Sequence, residues 1–237
     1  SVDLCAAEDT KKSRVLFNAH NIKTKITSYE KFSESSKLKY LIEVLKSGKS
    51  IALISDAGTP LISDPGYLLV KKAHKEKIKV IPIPGPSSLI SALSVSGLPL
   101  DKFIFHGFVP RQKAAQTEFI KKILSNLETS VFFESKTRIL PFLERLFEID
   151  PNRNIFVARE MTKLYETFYK GKVYEILDLF KLNQDSIKGE FVLVIEGKNK
   201  QETKDFLNEE QIQILHILEK GMKKKDVANL ASKSFGI

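Results

Sequence analysis

The feature that most constrains the fold is a regular alternation of short apolar runs and helical repeats in the first hundred residues. The runs at 2–9 and 50–55, "VDLCAAED" and "SIALIS", are typical of buried strands. Apolar residues recur between them at helical spacing as far as Gly48, at Leu38, Leu41, Ile42 and Leu45. Further helices are predicted in "YLLVKKAHKEK" and "SSLISALSVSG", with a strand in "KVIPI" between them. Buried strands that alternate with helices predict a parallel α/β sheet.

Glycine and proline interrupt this alternation at 96–113, "SGLPLDKFIFHGFVPRQK", which is typical of a crossover between domains. A second alternation follows. Helices are predicted in "AAQTEFIKKILSNL", "RILPFLERLFEI" (with Pro141 in its first turn) and "VYEILDLFK". Strands are predicted in "SVFFES", "NIFVARE" and "KGEFVLVIEG", and "YETFYKGKV" as part of a turn-linked pair. We therefore predict an α/β protein with two α/β domains, 1–103 and 104–199, and a linker and helical tail at 200–237.

Composition limits the class of protein. The chain has 237 residues, 42% of them hydrophobic, which suits two modest globular domains. No apolar run approaches the roughly 20 residues of a membrane span, and "SVDLCAAEDTKKSR" lacks the features of a signal peptide. Cys5 is the only cysteine, and the four histidines show no ligand spacing. We expect a soluble, cytoplasmic protein with no membrane partner and no metal site.

The charge balance is basic, with a formal net charge of +9 at pH 7. A basic surface favours a polyanionic partner such as nucleic acid. The same surplus of lysine can also reflect genomic composition. The net charge alone therefore does not identify the binding partner.

Polar, glycine-rich or proline-rich loops follow the predicted strands. These loops read "SDAGTPLISDPG" at 55–66, "PIPGPSS" at 82–88, "FFES" at 132–135, "AREMTK" at 158–163 and "KGEF" at 188–191. Open α/β sheets bind ligands at the carboxyl ends of their strands. We expect these loops to face one another across a ligand cleft between the two halves.

The first two loops suit a ligand that meets main-chain atoms. Gly58 permits close backbone approach, and Thr59 offers a hydroxyl group. The alternative is a tight turn in which Asp56 and Asp64 cap their own loops. The serines of "PGPSS" would cap the following helix or meet a polar ligand group. No Walker loop is present, which argues against a P-loop nucleotidase.

Charged residues stand where the apolar runs stop, namely Glu8, Glu134, Arg159 and Lys163. Each could be a solvated strand end or a member of an ion pair. Together, at one end of one sheet, they would form the walls of a polar cleft. No Ser-His-Asp or Cys-His pattern is visible, and Cys5 is predicted to be a buried thiol inside a strand.

Several strings in this order resemble the bacterial ribosomal RNA small subunit methyltransferase I family. They are "AAEDT", "IALISDAGTPLISDPG", "PIPGPSS", "GLPLDKFIFHGFVPR", "FFES" and "KGEFVLVIEG", and the resemblance covers roughly 2–198. It implies the tetrapyrrole methylase fold, with S-adenosylmethionine in a cleft between two α/β domains. It also implies methylation of a cytidine ribose 2′-hydroxyl in the decoding region of 16S rRNA in the small ribosomal subunit, by a homodimer.

The resemblance also implies particular site residues. For the cofactor these are Gly58, Thr59, Ile62, Ser87, Ser88, Phe133, Ala158, Gly189, Glu190 and Phe191. For catalysis we expect Lys163 and Arg159 to orient the hydroxyl or a phosphate, and Glu134 or Glu8 to accept the proton. Two alternatives stay open: a tetrapyrrole or protein methyltransferase of the same fold, and a non-catalytic RNA-binding relative.

The chain departs from the family pattern at its start. Family members carry a strand and turn containing glycine and proline ahead of "VDL", and "VDL" stands at 2–4 here. We therefore expect one position of the first sheet to be unfilled.

Overall fold

The structure, a computed structural model, describes residues 2–30, 34–183, 187–198 and 209–235. It contains two β-sheets. The first has three strands in the order β2-β1-β3, and the second has five in the order β4-β5-β8-β6-β7. The predicted α/β class is confirmed.

The first sheet is parallel, as predicted. Its strands are β1 (Leu4–Ala7), β2 (Lys25–Ser28) and β3 (Ile51–Ile54), with β1 in the centre. Helix α1 (Thr10–Ala19) connects β1 to β2, and α2 (Glu34–Lys46) connects β2 to β3. Leu41 and Ile42 of α2 pack into a core with Leu4, Ala6 and Tyr29.

The outer edge of β3 has no strand beside it within the described residues. The strand predicted in "KVIPI" is wrong, because residues 79–83 form no regular secondary structure. Their side chains stand in solvent, with Ile81 62% and Ile83 83% exposed. A segment of high β propensity becomes a strand only when main-chain hydrogen bonds join it to a neighbouring strand, and this segment has no such neighbour in the described part of the chain.

The second sheet is mixed rather than parallel. Its strands are β4 (Phe103–Phe108), β5 (Thr129–Ser135), β6 (Asn154–Arg159), β7 (Thr167–Lys172) and β8 (Glu190–Ile195). β4 and β5 run parallel, whereas β8 lies antiparallel between β5 and β6. β6 and β7 form the predicted turn-linked pair. β4 lies inside the segment that we expected to be only a crossover.

The direction of β8 corrects one expectation about the loops. The "KGEF" segment stands at the amino end of its strand, not at the carboxyl end. Because β8 runs opposite to its neighbours, Glu190 pairs with Ser135 and Phe191 with Arg159, at the carboxyl ends of β5 and β6. The segment therefore still reaches the same sheet edge as the other loops.

Helices cover both faces of the second sheet. One face carries α5 (Lys113–Ser125), α6 (Ile139–Ile149) and α7 (Val173–Leu182), and their core includes Phe132 and Phe142. Pro141 lies in the first turn of α6, as predicted. The chain also forms α3 (Tyr67–Lys75), α4 (Ser88–Ser96), α8 (Glu209–Glu219) and α9 (Lys224–Phe235).

Helix α4 packs against the second sheet although it precedes β4 in the chain. Leu89 and Leu93 join Val131, Phe156 and Val194 in one apolar cluster. The packing unit of the second sheet thus includes residues before 104, while the ranges 1–103 and 104–199 stay a prediction. No helix within the described residues is long and apolar enough to span a membrane.

Candidate functional site

A cavity of about 380 Å³ lies between the two sheets. Loops from both halves form it. Its lining consists of Glu8, Lys12, 56–59, 62–64, 87–89, Phe108, 133–135, 161–163 and 190–192. Ligand pockets in proteins have volumes of roughly 300–1,000 Å³. The predicted cleft between the halves therefore has room for a small molecule.

The floor of the cavity is built from two adjoining loops. The hydroxyl of Thr59 donates to the carbonyl oxygen of Pro86 at 3.3 Å, which joins the loop after β3 to the turn before α4. Ser87 caps α4 by accepting from the amide of Ile90 at 3.4 Å. Gly58 has a φ of +73° and open space where a side chain would begin. Main-chain atoms are thus accessible to a ligand here.

Glu134 is the most deeply buried charged residue of the lining, with 1% of its surface exposed. Its Oε1 accepts from the Ser135 amide at 2.6 Å and pairs with Arg138 Nη2 at 2.7 Å. Its Oε2 has no hydrogen-bond partner within the described residues. Burial raises the pKa of the Glu134 carboxyl, against the effects of the Ser135 and Arg138 contacts. A buried acceptor without a partner costs about 1–3 kcal/mol.

Lys163 joins the two loops at the other side of the cavity. Its Nζ lies 3.1 Å from Glu160 Oε1 and 2.8 Å from Glu190 Oε2. Burial would lower the pKa of Lys163, but the hydrogen bonds to Glu190 and Glu160 outweigh it, and the pKa is raised. Lys163 is therefore a fixed cation. Arg159 points elsewhere, since its Nε donates to the Lys188 carbonyl oxygen at 2.6 Å and it lies outside the lining.

Carboxylates form the wall on the side of the first sheet. Glu8 Oε2 accepts from the Asp56 amide at 3.2 Å. Asp56 does not cap its own loop: its carboxylate accepts from the Asp9 amide at 3.1 Å and from Lys12 Nζ at 2.7 Å. The loop is therefore tied to the start of α1. The described residues contain no group of His, Cys, Asp or Glu side chains suited to a metal ion.

Asp64 is a lining residue that we had considered only as a turn residue. Burial and the charge of Glu8 raise the pKa of Asp64 to about 6, with smaller contributions from Asp56 and Glu190 and an opposing hydrogen bond from Ser55. The only signal in the sequence was its place in "SDPG", which does not reveal how deeply the side chain is buried.

The structure brings most of the predicted site residues to this one cavity. Eleven of the fourteen lie in the lining: Glu8, Gly58, Thr59, Ile62, Ser87, Ser88, Phe133, Glu134, Lys163, Glu190 and Phe191. Arg159, Ala158 and Gly189 lie outside it. Ala158 is buried in the apolar cluster beneath α4, and Gly189 lies against the side chain of Glu160.

Sequence reasoning missed Lys12, Met161 and Phe108 as lining residues. Phe108 is 54% exposed and meets the ring of Phe133 edge-on at 5.5 Å. Its place at the end of β4 could not be read from a segment interpreted as a crossover.

The fold and the cavity between the two sheets are typical of the tetrapyrrole methylases, and the comparison with known families agrees with this class. A family model described as Tetrapyrrole (Corrin/Porphyrin) Methylases matches residues 1–177. Two solved structures share the fold. CobJ, a methyltransferase, has a TM-score of 0.57 and 15% identity over 82% of this chain and 83% of its own. Uroporphyrin-III-C-methyltransferase from Thermus thermophilus has a TM-score of 0.55 and 18% identity over 82% of each chain.

Relatives of higher identity narrow the assignment. Ribosomal RNA small subunit methyltransferase I of Thermotoga maritima is 44% identical over 83% of this chain and 87% of its own length. The protein of that name from Escherichia coli O157:H7 is 37% identical over 100% of this chain and 82% of its own length. The chain belongs to the ribosomal RNA small subunit methyltransferase I family of tetrapyrrole methylases.

Proposed function

We propose that this protein transfers a methyl group from S-adenosylmethionine to the ribose 2′-hydroxyl of a cytidine in the decoding region of 16S rRNA. The family supports methylation of small-subunit rRNA. The observation that carries the proposal is the cavity between the sheets, which is floored by main-chain atoms and walled by carboxylates and Lys163. The identity of the methyl donor and that of the methylated hydroxyl group both belong to this proposal.

The residues present suit S-adenosylmethionine. Ile62, Leu89 and Phe133 offer apolar surface for an adenine ring beside the accessible main chain at Gly58. The Glu134 side chain is fully buried in the cavity wall, so it would support the ligand-contacting surface from behind. We assign the ten predicted cofactor residues to this site. Ala158 and Gly189, which lie outside the lining, would act by supporting the wall.

When bound, S-adenosylmethionine supplies a methyl group on a positively charged sulfur. The protein must hold the ribose hydroxyl in line with that methyl group and take up its proton. Lys163, fixed by Glu160 and Glu190, would orient the hydroxyl or a neighbouring phosphate. Of the two predicted proton acceptors, Glu8 lines the cavity and suits this role, whereas the side chain of Glu134 is fully buried and would have to turn toward the cavity to take the proton. Arg159, outside the lining, suits a phosphate farther from the reaction.

The partner and location belong to the same proposal. Family members are named for the small ribosomal subunit, so we place this protein in the cytoplasm, acting on that particle or its rRNA. The resemblance also suggests a homodimer.

Two measurements test the proposed function. Calorimetry measures the affinity for S-adenosylmethionine, and labelled cofactor measures methyl transfer to small ribosomal subunits and free 16S rRNA. We expect binding and transfer to at least one RNA substrate, with the methyl group on a cytidine 2′-oxygen. Cofactor binding without transfer to either would contradict the proposal and favour another substrate. No binding at all would favour a non-catalytic relative.

Lys163→Ala tests the proposed catalytic role. We expect methyl transfer to fall about 100-fold while the affinity for S-adenosylmethionine stays within a few-fold, because the lysine would orient the substrate. Lys121→Ala is a matched control, since Lys121 pairs with Glu118 at the same i,i+3 spacing and 3.1 Å distance outside the cavity. Equal losses of binding and transfer in Lys163→Ala would instead show that the residue supports the cavity wall.

A further inference from the structure

The loop that carries Lys163 also presents two large side chains to solvent. It spans residues 160–166 between β6 and β7. Leu164 is 88% exposed and Tyr165 is 69% exposed. Residues 161–163, immediately before them, line the cavity. Leu164 and Tyr165 therefore stand beside the cavity on the same short loop.

Hydrogen bonds within the loop and to the neighbouring strands support its shape. The amide of Thr162 donates to Glu166 Oε2 at 2.7 Å, and the amide of Glu190 donates to Glu160 Oε1 at 2.8 Å. The hydroxyl of Thr167 donates to the Tyr165 carbonyl oxygen at 3.1 Å. One of these bonds closes the loop on itself, and the other two tie it to β8 at Glu160 and to β7 at Tyr165.

The loop is also strained. Glu160 has a φ of +50° and Thr162 has a φ of +63°, both in the left-handed region that residues other than glycine rarely occupy. Strain of this kind costs on the order of 1–3 kcal/mol per residue and concentrates at ligand-contact sites. Leu164 and Tyr165 gain little burial within the chain in return, which indicates that the loop is shaped for a partner.

We propose that Leu164 and Tyr165 form a stacking surface for an unpaired nucleotide of the RNA substrate, with the base on the Tyr165 ring. This inference rests on the proposed function. A ribose hydroxyl can enter an inter-sheet cavity only if its nucleotide leaves the stack of its neighbours. Proteins that bind unpaired RNA replace the lost stacking with aromatic side chains.

The surroundings favour RNA over an apolar protein partner. Lys163 precedes the pair with its Nζ held by Glu160 and Glu190, and Lys170 stands exposed on β7 with its Nζ donating to the Gly97 carbonyl oxygen at 3.1 Å. The chain as a whole has a net charge of +9. This positive surplus favours a nucleotide, whose phosphates it attracts, over an apolar protein surface, which would desolvate the charges around it.

The test compares Tyr165→Ala and Tyr165→Phe with Tyr40→Ala, which removes a 47% exposed tyrosine from α2, away from the cavity. We measure KM for rRNA, the affinity for S-adenosylmethionine, and binding of a single-stranded and a duplex RNA of the same sequence. We expect Tyr165→Ala to raise KM and weaken single-strand binding roughly tenfold or more. Tyr165→Phe should retain both properties, and cofactor affinity should not change. Thermal unfolding confirms that each variant folds.

The outcomes separate this inference from the proposed function. If the wild-type protein methylates rRNA and Tyr165→Ala has an unchanged KM, the stacking surface is wrong and the proposed function stands. Wild-type protein that transfers no methyl group would overturn the proposed function and the surface with it. A change in oligomeric state of Tyr165→Ala, measured by sedimentation at constant KM, would assign the pair to a contact between two copies of the chain.

Discussion

At the scale of single residues, Asp64 occupies an unusual electrostatic position. Three other carboxylates, those of Glu8, Asp56 and Glu190, raise the pKa of its carboxyl, and burial adds the largest contribution. Lys12 and Lys163, which also line the cavity, pair with Asp56 and with Glu160 and Glu190 rather than with Asp64. Near neutral pH, Asp64 therefore carries a charge that its surroundings oppose.

Asp64→Asn should stabilise the protein in a pH-dependent way. The folded pKa of about 6 exceeds the ordinary value of 3.8, so the folded protein loses stability from this group as pH rises from about 4 to about 6. We expect the variant to gain on the order of 1–2 kcal/mol over wild type at pH 7, and much less at pH 4, after solvent screening. Urea unfolding at both pH values measures the difference.

The matched control for this prediction is Asp101→Asn, an exposed aspartate on the loop before β4. Its effect on unfolding should be small and similar at both pH values. A gain in Asp64→Asn that did not grow between pH 4 and pH 7 would contradict the assignment, because a neutral side chain would then stabilise for a reason unrelated to charge.

Residue types predicted the main-chain part of the site better than its charged part. Thr59 and Ser87 follow from turn and capping preferences, which depend on near neighbours in the chain. The free oxygen of Glu134 and the environment of Asp64 depend on contacts between distant segments. Residue types along the chain carry no local signal for such contacts.

At the scale of elements, the loop from β3 to α3 is fixed at its exit by Gly66. This residue has a φ of +138°, and a Cβ there would lie 2.6 Å from side-chain atoms of Leu53 and Leu61. Its amide also donates to Glu34 Oε1 at 2.7 Å, which in turn accepts from the buried Tyr29 hydroxyl at 3.2 Å. The loop that floors the cavity is thus anchored to the core of the first sheet.

Gly66→Ala should therefore destabilise the protein by roughly 1–3 kcal/mol, through backbone strain and overpacking. Gly85→Ala is the control, since no atom lies within 4 Å of the position of its Cβ. Urea unfolding measures both variants. Equal unfolding free energies for the two would show that the loop can relax around the added methyl group.

Elements with a strong apolar pattern were predictable, and those held by polar contacts were not. Helix α2 and strands β1, β3 and β5 have clear patterns and were predicted. Helix α1 buries only Ser13 and Phe17, and it begins where the Asp9 side chain accepts from two backbone amides. The "KVIPI" run shows the reverse case, because it has strand composition without a neighbouring strand.

At the scale of the whole molecule, charge should govern the encounter with RNA. The net charge of +9 predicts that rRNA affinity falls steeply with salt, because bound lysines and arginines release counterions from phosphates. We expect log affinity to decline linearly with log salt between 50 and 200 mM, at roughly one unit of slope per phosphate contacted. Filter binding measures the slope. A flat response would mean that phosphates contribute little.

The arrangement of the two sheets was predictable only in outline. Two alternating halves and a cleft between them followed from the order of patterns in the chain. The mixed second sheet did not, since a buried strand has the same apolar composition in either direction. The packing of α4 across the boundary was also invisible, because an apolar helix face does not identify the sheet that it covers.

The bare outer edge of β3 has a consequence for handling the protein. Its main-chain donors and acceptors have no strand beside them within the described part of the chain, and the side chains of Val80, Ile81 and Ile83 are exposed elsewhere on the surface. Exposed strand edges pair with strands of other molecules. We therefore expect concentrated samples to associate through this edge and to precipitate. Repulsion between the positively charged molecules is strongest at low ionic strength and would oppose this aggregation. A dilute solution in low-salt buffer is therefore the natural storage condition.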